Sequence, residues 1–302
     1  MLNRLYKTLR QNLEKGVVRK NYDLYPHNSY KVHSVAKVAV IVNSLETFCK
    51  TMSFCEQLGI KPIVIGNGTN IILARPIIDG VVIIFGNKFS NIYMQGNNVI
   101  ADSGASILDV INFAKDNNLT GMEQAIGIPG TMGGAVYMNA QAFDFSIDRV
   151  VGSVLIYIDG KIRLWNKDEC GFGYRKSIFQ DGGGIILRVE LCLKQSDRET
   201  ISNNILKTLE IRRSKQGVGY PNAGSVFKNG NNYFAGELID KCGLKNYNIN
   251  NAYVSDKHAN FIVNKGSATG EDIISLIGVI KAQVKREYGV DLELEQRIIG
   301  DK

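Results

Sequence analysis

Residues 127–134 read Gly-Ile-Pro-Gly-Thr-Met-Gly-Gly, four glycines and a proline in eight positions. Glycine leaves room for close approach to the main chain, so such a run marks a place where the backbone itself meets something. Two readings are open: a glycine-rich bend between strands, or a loop against which the diphosphate of a cofactor lies. A second turn, Gly66-Asn67-Gly68-Thr69-Asn70, closes the hydrophobic run 61–66 and can aim successive N–H groups at a phosphate, though an ordinary strand-ending turn reads the same way. No Gly-Lys-Ser/Thr follows it and it is not a GxGxxG, so neither a P-loop nor a Rossmann fold is indicated. Two such loops in successive modules point to one extended ligand, such as a dinucleotide.

The modules follow from length and periodicity. A chain of 302 residues exceeds what one core usually serves, so two or three units are expected. The first, 1–85, reads as a basic amphipathic helix, an extended segment 30–42, a helix 45–59 and β-like runs at 61–66, 71–74 and 80–85. The second, 86–200, holds a helix 107–120, the glycine-rich loop 127–143, a hairpin 150–165 turning at Asp159-Gly160, and a strand 184–194. A charged helix, 199–217, opens the third, 201–294, where helices at 234–243 and 271–289 flank a β-like stretch 252–264. The last strand, 295–302, is a candidate to return to the first module. The class is mixed α+β.

No apolar run is long enough for a membrane helix, and the basic start lacks the apolar stretch of a secretory signal, so a cytoplasmic protein without membrane insertion is expected. The net charge of +7 is dispersed rather than gathered in basic runs, which favours a phosphorylated small ligand over nucleic acid. Five scattered cysteines form no CxxC and have no histidine at ligand spacing, so reduced thiols and no metal site are expected.

Among candidate chemical residues, Arg175 stands between aromatics in Phe-Gly-Tyr-Arg-Lys-Ser-Ile-Phe (172–179), either a snorkelling surface residue or a donor fork for a carboxylate. Lys215, Lys228 and Asn229 surround Ser225 and offer charge and hydrogen bonds to a diphosphate. Glu295 falls in an amphipathic strand. His258 reads as a structural hydrogen-bonder, and without a His-Asp pair Ser225 is no acyl nucleophile.

Taken in order, the segments 66–70, 127–140, 171–179, 223–229, 255–264 and 292–300 resemble the UDP-N-acetylenolpyruvoylglucosamine reductase family, flavoenzymes of peptidoglycan precursor synthesis, in its shorter form. The resemblance implies an FAD-binding fold of the vanillyl-alcohol oxidase (PCMH) type in two subdomains, 1–85 and 86–200, followed by an α+β substrate-binding domain. FAD would be held by Gly66, Asn67, Gly68, Thr69, Asn70, Gly127, Ile128, Pro129, Gly130, Thr131, Gly133, Gly134 and Asn139. NADPH would reduce the flavin, and the enolpyruvyl ether of a UDP-sugar would then be reduced at its vinyl group and protonated. Ser225 matches the family's proton donor, Arg175 and Glu295 match the pair that steadies the enolate, and Tyr174, Lys215, Lys228 and Asn229 match substrate-binding positions. The oligomeric state is left open.

This chain departs from the family pattern in two places. Where many members have Thr-Phe-x-Ile/Val-Gly-Gly, it has Ser29-Tyr30-Lys31-Val32-His33-Ser34, and where Gly and Tyr are usual it has Gln141 and Phe143. The alternatives are another FAD oxidoreductase of the same fold, or a catalytically silent binding protein on this scaffold.

Overall fold

The computed structural model describes residues 1–216 and 219–300, with the side chains of 213–216 outside the description. The chain divides into two compact units interleaved in sequence: residues 1–20, 38–67 and 80–212 form the larger, and residues 21–37, 68–79 and 213–302 the smaller.

The larger unit has two apolar clusters. In the first, helices Leu2–Asn12 and Leu45–Gln57 cover a sheet whose strand order is 18–23, 35–42, 77–85, 63–65. Ser44 starts the second helix by accepting the Thr47 N–H at 3.1 Å, and Phe48, Met52 and Cys55, at helical spacing, form its buried face. The run Val81–Phe85 is continuously apolar because every residue of it is buried, whereas alternation would be expected of a strand with one wet face. Strands 63–65 and 77–85 pair in parallel, Ile63 opposite Val82.

The second cluster lies on a five-stranded antiparallel sheet ordered 161–166, 151–158, 185–191, 98–102, 92–95. Its expected hairpin turns at Asp159 (φ +50) and Gly160 (φ +72), with Ile158 paired to Lys161, the geometry of a two-residue type I′ turn. Two expected elements differ. The helix expected to reach residue 120 stops at Asp116, because Asn118 turns left-handed (φ +57) and Leu119–Thr120 pair with residues 194–195 instead. The glycine-rich loop contains a helix, Met132–Met138, which Thr131 caps by accepting the Gly134 N–H at 3.3 Å.

In the smaller unit, helix Gly270–Tyr288 packs its face Ile273, Leu276, Ile277, Ile280 and Val284 into a core with Tyr30, Ile72, Phe227, Val254 and Ile262. The stretch expected to be β-like is a hairpin of strands 252–254 and 262–264, with residues 248–249 added at its edge. Among the described residues of the expected last strand, Arg297–Ile299 is strand, paired in parallel with Ile71–Leu73 of the same unit. Among the described residues no helix is long and apolar enough to cross a membrane, and no His, Cys, Asp and Glu side chains group as metal ligands.

Candidate active site

In the larger unit the two glycine-rich turns meet. Gly66, at the end of strand 63–65, lies so close to Thr131 that a Cβ there would sit 2.5 Å from the Thr131 hydroxyl. The 127–134 loop is laid along the turn 103–107 by main-chain bonds: Ile107 N–H to Gly130, Met132 N–H to Ala105 at 2.8 Å, and Gly133 N–H to Ser103 at 3.0 Å. A Cβ on Gly133 would stand 2.9 Å from the Ser103 side chain, so this approach belongs to glycine. The result is a close-packed junction of glycine-rich segments far apart in sequence.

Arg212, which the sequence reading did not single out, supports the loop from helix Arg198–Gln216. Its Nη1 donates to the Gly127 carbonyl at 3.4 Å and its guanidinium lies over the Phe143 ring, 5.4 Å from the centroid. Phe143 is itself at φ +55 in the two-residue turn between Gln141–Ala142 and Phe145–Ser146, and Gln141 is extended, a conformation that accepts any side chain. The bulk at the second departure is therefore accommodated.

Arg175 occupies the tip of a tight turn. Gly173 and Lys176 exchange both main-chain bonds (3.0 and 3.1 Å), which leaves Tyr174, half exposed, and Arg175, at φ +52, as the two turn residues. The turn is braced from below: Asn139 Nδ2 donates to Gly173 O at 2.9 Å and Gln180 Nε2 to Arg175 O at 3.1 Å. Arg175 Nη1 donates to the Gln141 carbonyl at 3.1 Å. Asn139, expected at the cofactor, is 2% exposed and left-handed at the end of helix 132–138, with its amide oxygen accepting the Asp148 N–H, so its side chain braces the Arg175 turn.

In the smaller unit, segment 225–228 carries two isolated bridges, one at Ser225 and one beside Glu295. Glu295 N–H donates to Val226 O at 2.8 Å and Lys228 N–H to Glu293 O at 2.9 Å, framing the bridge between Phe227 and Leu294. Ser225 bridges to Phe261, and both Ser225 and Glu295 are half-buried. Lys228 Nζ pairs with Glu293 Oε1 at 2.6 Å, and the Asn229 Oδ1 accepts the Ala235 N–H at 3.0 Å, at the start of helix Ala235–Lys241. The side chain of Lys215 lies outside the described residues. Of the first glycine turn, Gly68 O accepts the Ser29 N–H at 3.1 Å, and Asn70 Nδ2 donates to Glu295 O at 3.3 Å.

Two further features concern the smaller unit. His258 accepts the Asn260 N–H at Nδ1 (3.3 Å) and packs on Phe261, and burial holds its pKa below the usual imidazole value, so it is neutral and structural. At the first departure, Asp23 takes the place of a glycine-shaped turn as organiser: its carboxylate meets His33 Nδ1 at 2.6 Å and the Ser34 N–H at 3.3 Å, while Ser34 Oγ donates to Arg75 O at 2.7 Å.

Comparison with known proteins gives the family. A model of the UDP-N-acetylenolpyruvoylglucosamine reductase C-terminal domain matches residues 216–299, and one of an FAD binding domain matches residues 36–164. The UDP-N-acetylenolpyruvoylglucosamine reductase of Clostridium novyi is 38% identical over 297 residues, covering 98% of this chain and 96% of that one. That of Clostridium botulinum strain Hall is 41% identical over 277 residues, 91% of this chain and 90% of that one. The crystal structure of the enzyme from Thermus caldophilus superposes with a TM-score of 0.79 at 29% identity, over 93% of this chain and 97% of that one. An alkyldihydroxyacetonephosphate synthase, 12% identical with a TM-score of 0.50 over 64% of this chain and 40% of that one, shares the fold alone.

Proposed function

Because the chain belongs to the UDP-N-acetylenolpyruvoylglucosamine reductase family, we propose that Ser225, Arg175 and Glu295 carry its chemistry. The protein is an FAD-dependent oxidoreductase that uses NADPH to reduce UDP-N-acetylenolpyruvoylglucosamine to UDP-N-acetylmuramate, a precursor of peptidoglycan. FAD would lie against Gly66, Asn67 and the 127–134 loop, two turns that glycine lets pack together, Gly66 on Thr131 and Gly133 on Ser103. Gly68, Thr69 and Asn70 continue that turn. Residues 1–85 and 86–200 are read as the two FAD-binding subdomains and 201–294 as the substrate domain; the two apolar clusters of the larger unit support the first two readings outside 21–37 and 68–79, which belong to the smaller unit.

Bound FAD supplies the two-electron carrier between NADPH and substrate. What the chain supplies is charge and a proton. Arg175 presents a permanently charged, planar fork to the substrate carboxylate, and the braced turn keeps it aimed. Glu295 serves as a carboxylic acid that donates a hydrogen bond to the enolate oxygen as charge develops there. Ser225 Oγ–H protonates the enolate carbon, which is basic enough to accept from a hydroxyl. Tyr174, Lys215, Lys228 and Asn229 bind the UDP-sugar, with Asn229 also starting helix 235–241.

The observation that carries this assignment is the bridge in which the Glu295 N–H donates to Val226 O at 2.8 Å, which sets Glu295 beside the residue that follows Ser225 although the two are remote in sequence. Ser225→Ala tests it. The substitution should leave FAD binding and flavin reduction by NADPH intact, and should slow flavin reoxidation by the enolpyruvyl substrate at least roughly 10²-fold, the usual worth of a positioned acid. Equal slowing of the two half-reactions would assign Ser225 a structural role instead.

A further inference from the structure

Gln296, the residue after Glu295, is a polar side chain only 2% exposed. Its Nε2 donates to the carbonyls of Ala223 and Gly224, both at 3.1 Å, and its Oε1 accepts the Tyr30 hydroxyl at 2.9 Å. Tyr30 is 1% exposed, and its own carbonyl accepts from Asn264 Nδ2 at 2.8 Å. On the other side of Ser225, Asn260 returns both faces of its amide to Phe227, accepting the N–H at 3.0 Å and donating to the carbonyl at 2.8 Å, and its main-chain carbonyl accepts the Val226 N–H at 2.9 Å. Ser225 is thus bracketed by buried amides.

An amide can turn over, exchanging its oxygen and nitrogen. In Gln296 the two carbonyls that precede Ser225 decide, because they can only accept and so face the NH₂, and the phenol completes the amide by donating to the Oε1 that is left. Burial raises the phenol pKa far above the usual value, so it keeps the proton it donates. Buried polar groups with all partners in place form a rigid support, and a support with one partner missing is where geometry loosens.

We propose that Tyr30 and Gln296 are positioning residues for proton transfer: the phenol satisfies and holds the Gln296 Oε1, and the amide so held fixes the Ala223-Gly224 peptides that aim Ser225 Oγ. This rests on the reading of Ser225 as proton donor. Proton transfer tolerates little misalignment, since a displacement of about 1 Å is enough to cost roughly 10²-fold in rate.

Tyr30→Phe removes one oxygen and leaves the ring in its apolar cluster, so the fold is not at stake, which a thermal melt verifies. Stopped-flow measurement should show flavin reduction by NADPH at the wild-type rate and reoxidation by the enolpyruvyl substrate slowed about tenfold. The solvent deuterium isotope effect on reoxidation should rise as proton transfer becomes limiting. Placed in the Ser225→Ala background, Tyr30→Phe should add no further loss, because the group it positions is gone. Wild-type reoxidation in Tyr30→Phe, equal slowing of both half-reactions, or the same tenfold loss without Ser225 each overturns the inference. Ser225→Ala reoxidising at the wild-type rate would remove the proton-donor reading itself, and this inference with it, whatever Tyr30→Phe does.

Discussion

Arg175 stands at φ +52, a left-handed conformation that costs a non-glycine residue about 1 kcal/mol or more and persists where its surroundings impose it. Here Asn139 and Gln180 do so from two sides. The residue is therefore retained against a local preference, which separates stability from activity in two substitutions. Arg175→Gly should raise unfolding stability by about 1 kcal/mol by relieving the backbone, while turnover collapses. Arg175→Lys keeps the charge but loses the planar fork, and turnover should fall about 10²-fold with melting unchanged. Near-normal turnover in the lysine variant would make Arg175 a surface residue. The residue itself was legible in the sequence, as an arginine between aromatics, but its strain was not. Nor were Asn260 and Gln296, whose partners lie 33 and 72 or more positions away. A polar residue inside an apolar run, as in Ala259-Asn260-Phe261-Ile262, was the signal available for one of them.

Elements defined by local chemistry were legible: the Asp159-Gly160 hairpin, the Ser44-capped helix and the long helix after Thr269. The last is held by a capping box in which Thr269 Oγ1 accepts the Asp272 N–H at 3.1 Å and Asp272 Oδ2 accepts the Thr269 N–H at 2.8 Å. The helix Met132–Met138 was not legible, because glycines that read as loop are its first turn, kept there by contact with Ser103 rather than by propensity. The capping box sets a pH dependence. Burial alone would raise the Asp272 carboxyl, but the Thr269 N–H, the Asn250 amide and the Thr269 side chain outweigh it, and its pKa falls below the ordinary 3.8. A depressed carboxyl pKa adds stability that is fully present above the unfolded value and is lost as pH falls through 3.8 and past the folded value. Thr269→Ala should cost about 1 kcal/mol at neutral pH. Asp272→Asn should flatten the acid limb of the stability profile measured by denaturant titration, and an unchanged acid limb would place that dependence elsewhere.

The order of motifs along the chain was legible, and with it the family, whereas the interleaving of the two units was not. Segments 21–37 and 68–79 belong to the smaller unit, yet nothing in their own periodicity says which core they join. That is decided by long-range contacts, such as Ile72 in the cluster with Phe227 and Ile273. The proposed cofactor surface is likewise a tertiary product, since Gly66 and Thr131 come from separate segments that only the folded larger unit brings together. A ligand of such a surface binds the folded chain and not the unfolded one, so it must stabilise the fold by mass action, by about 2.7 kcal/mol at a free concentration 100-fold above its dissociation constant. The protein should purify yellow with FAD, and stripping the cofactor should lower the melting temperature, which added FAD restores. Hydrogen exchange locates the effect. Amides of residues 130–138 and around Gly66 should gain protection on FAD addition, while the capped helix Gly270–Tyr288, in the smaller unit, should serve as a little-changed reference. Gly133→Ala, whose added methyl meets Ser103, should weaken both the colour and the melting shift. Colourless protein whose melting temperature and exchange pattern do not respond to FAD would mean that these two turns serve packing alone.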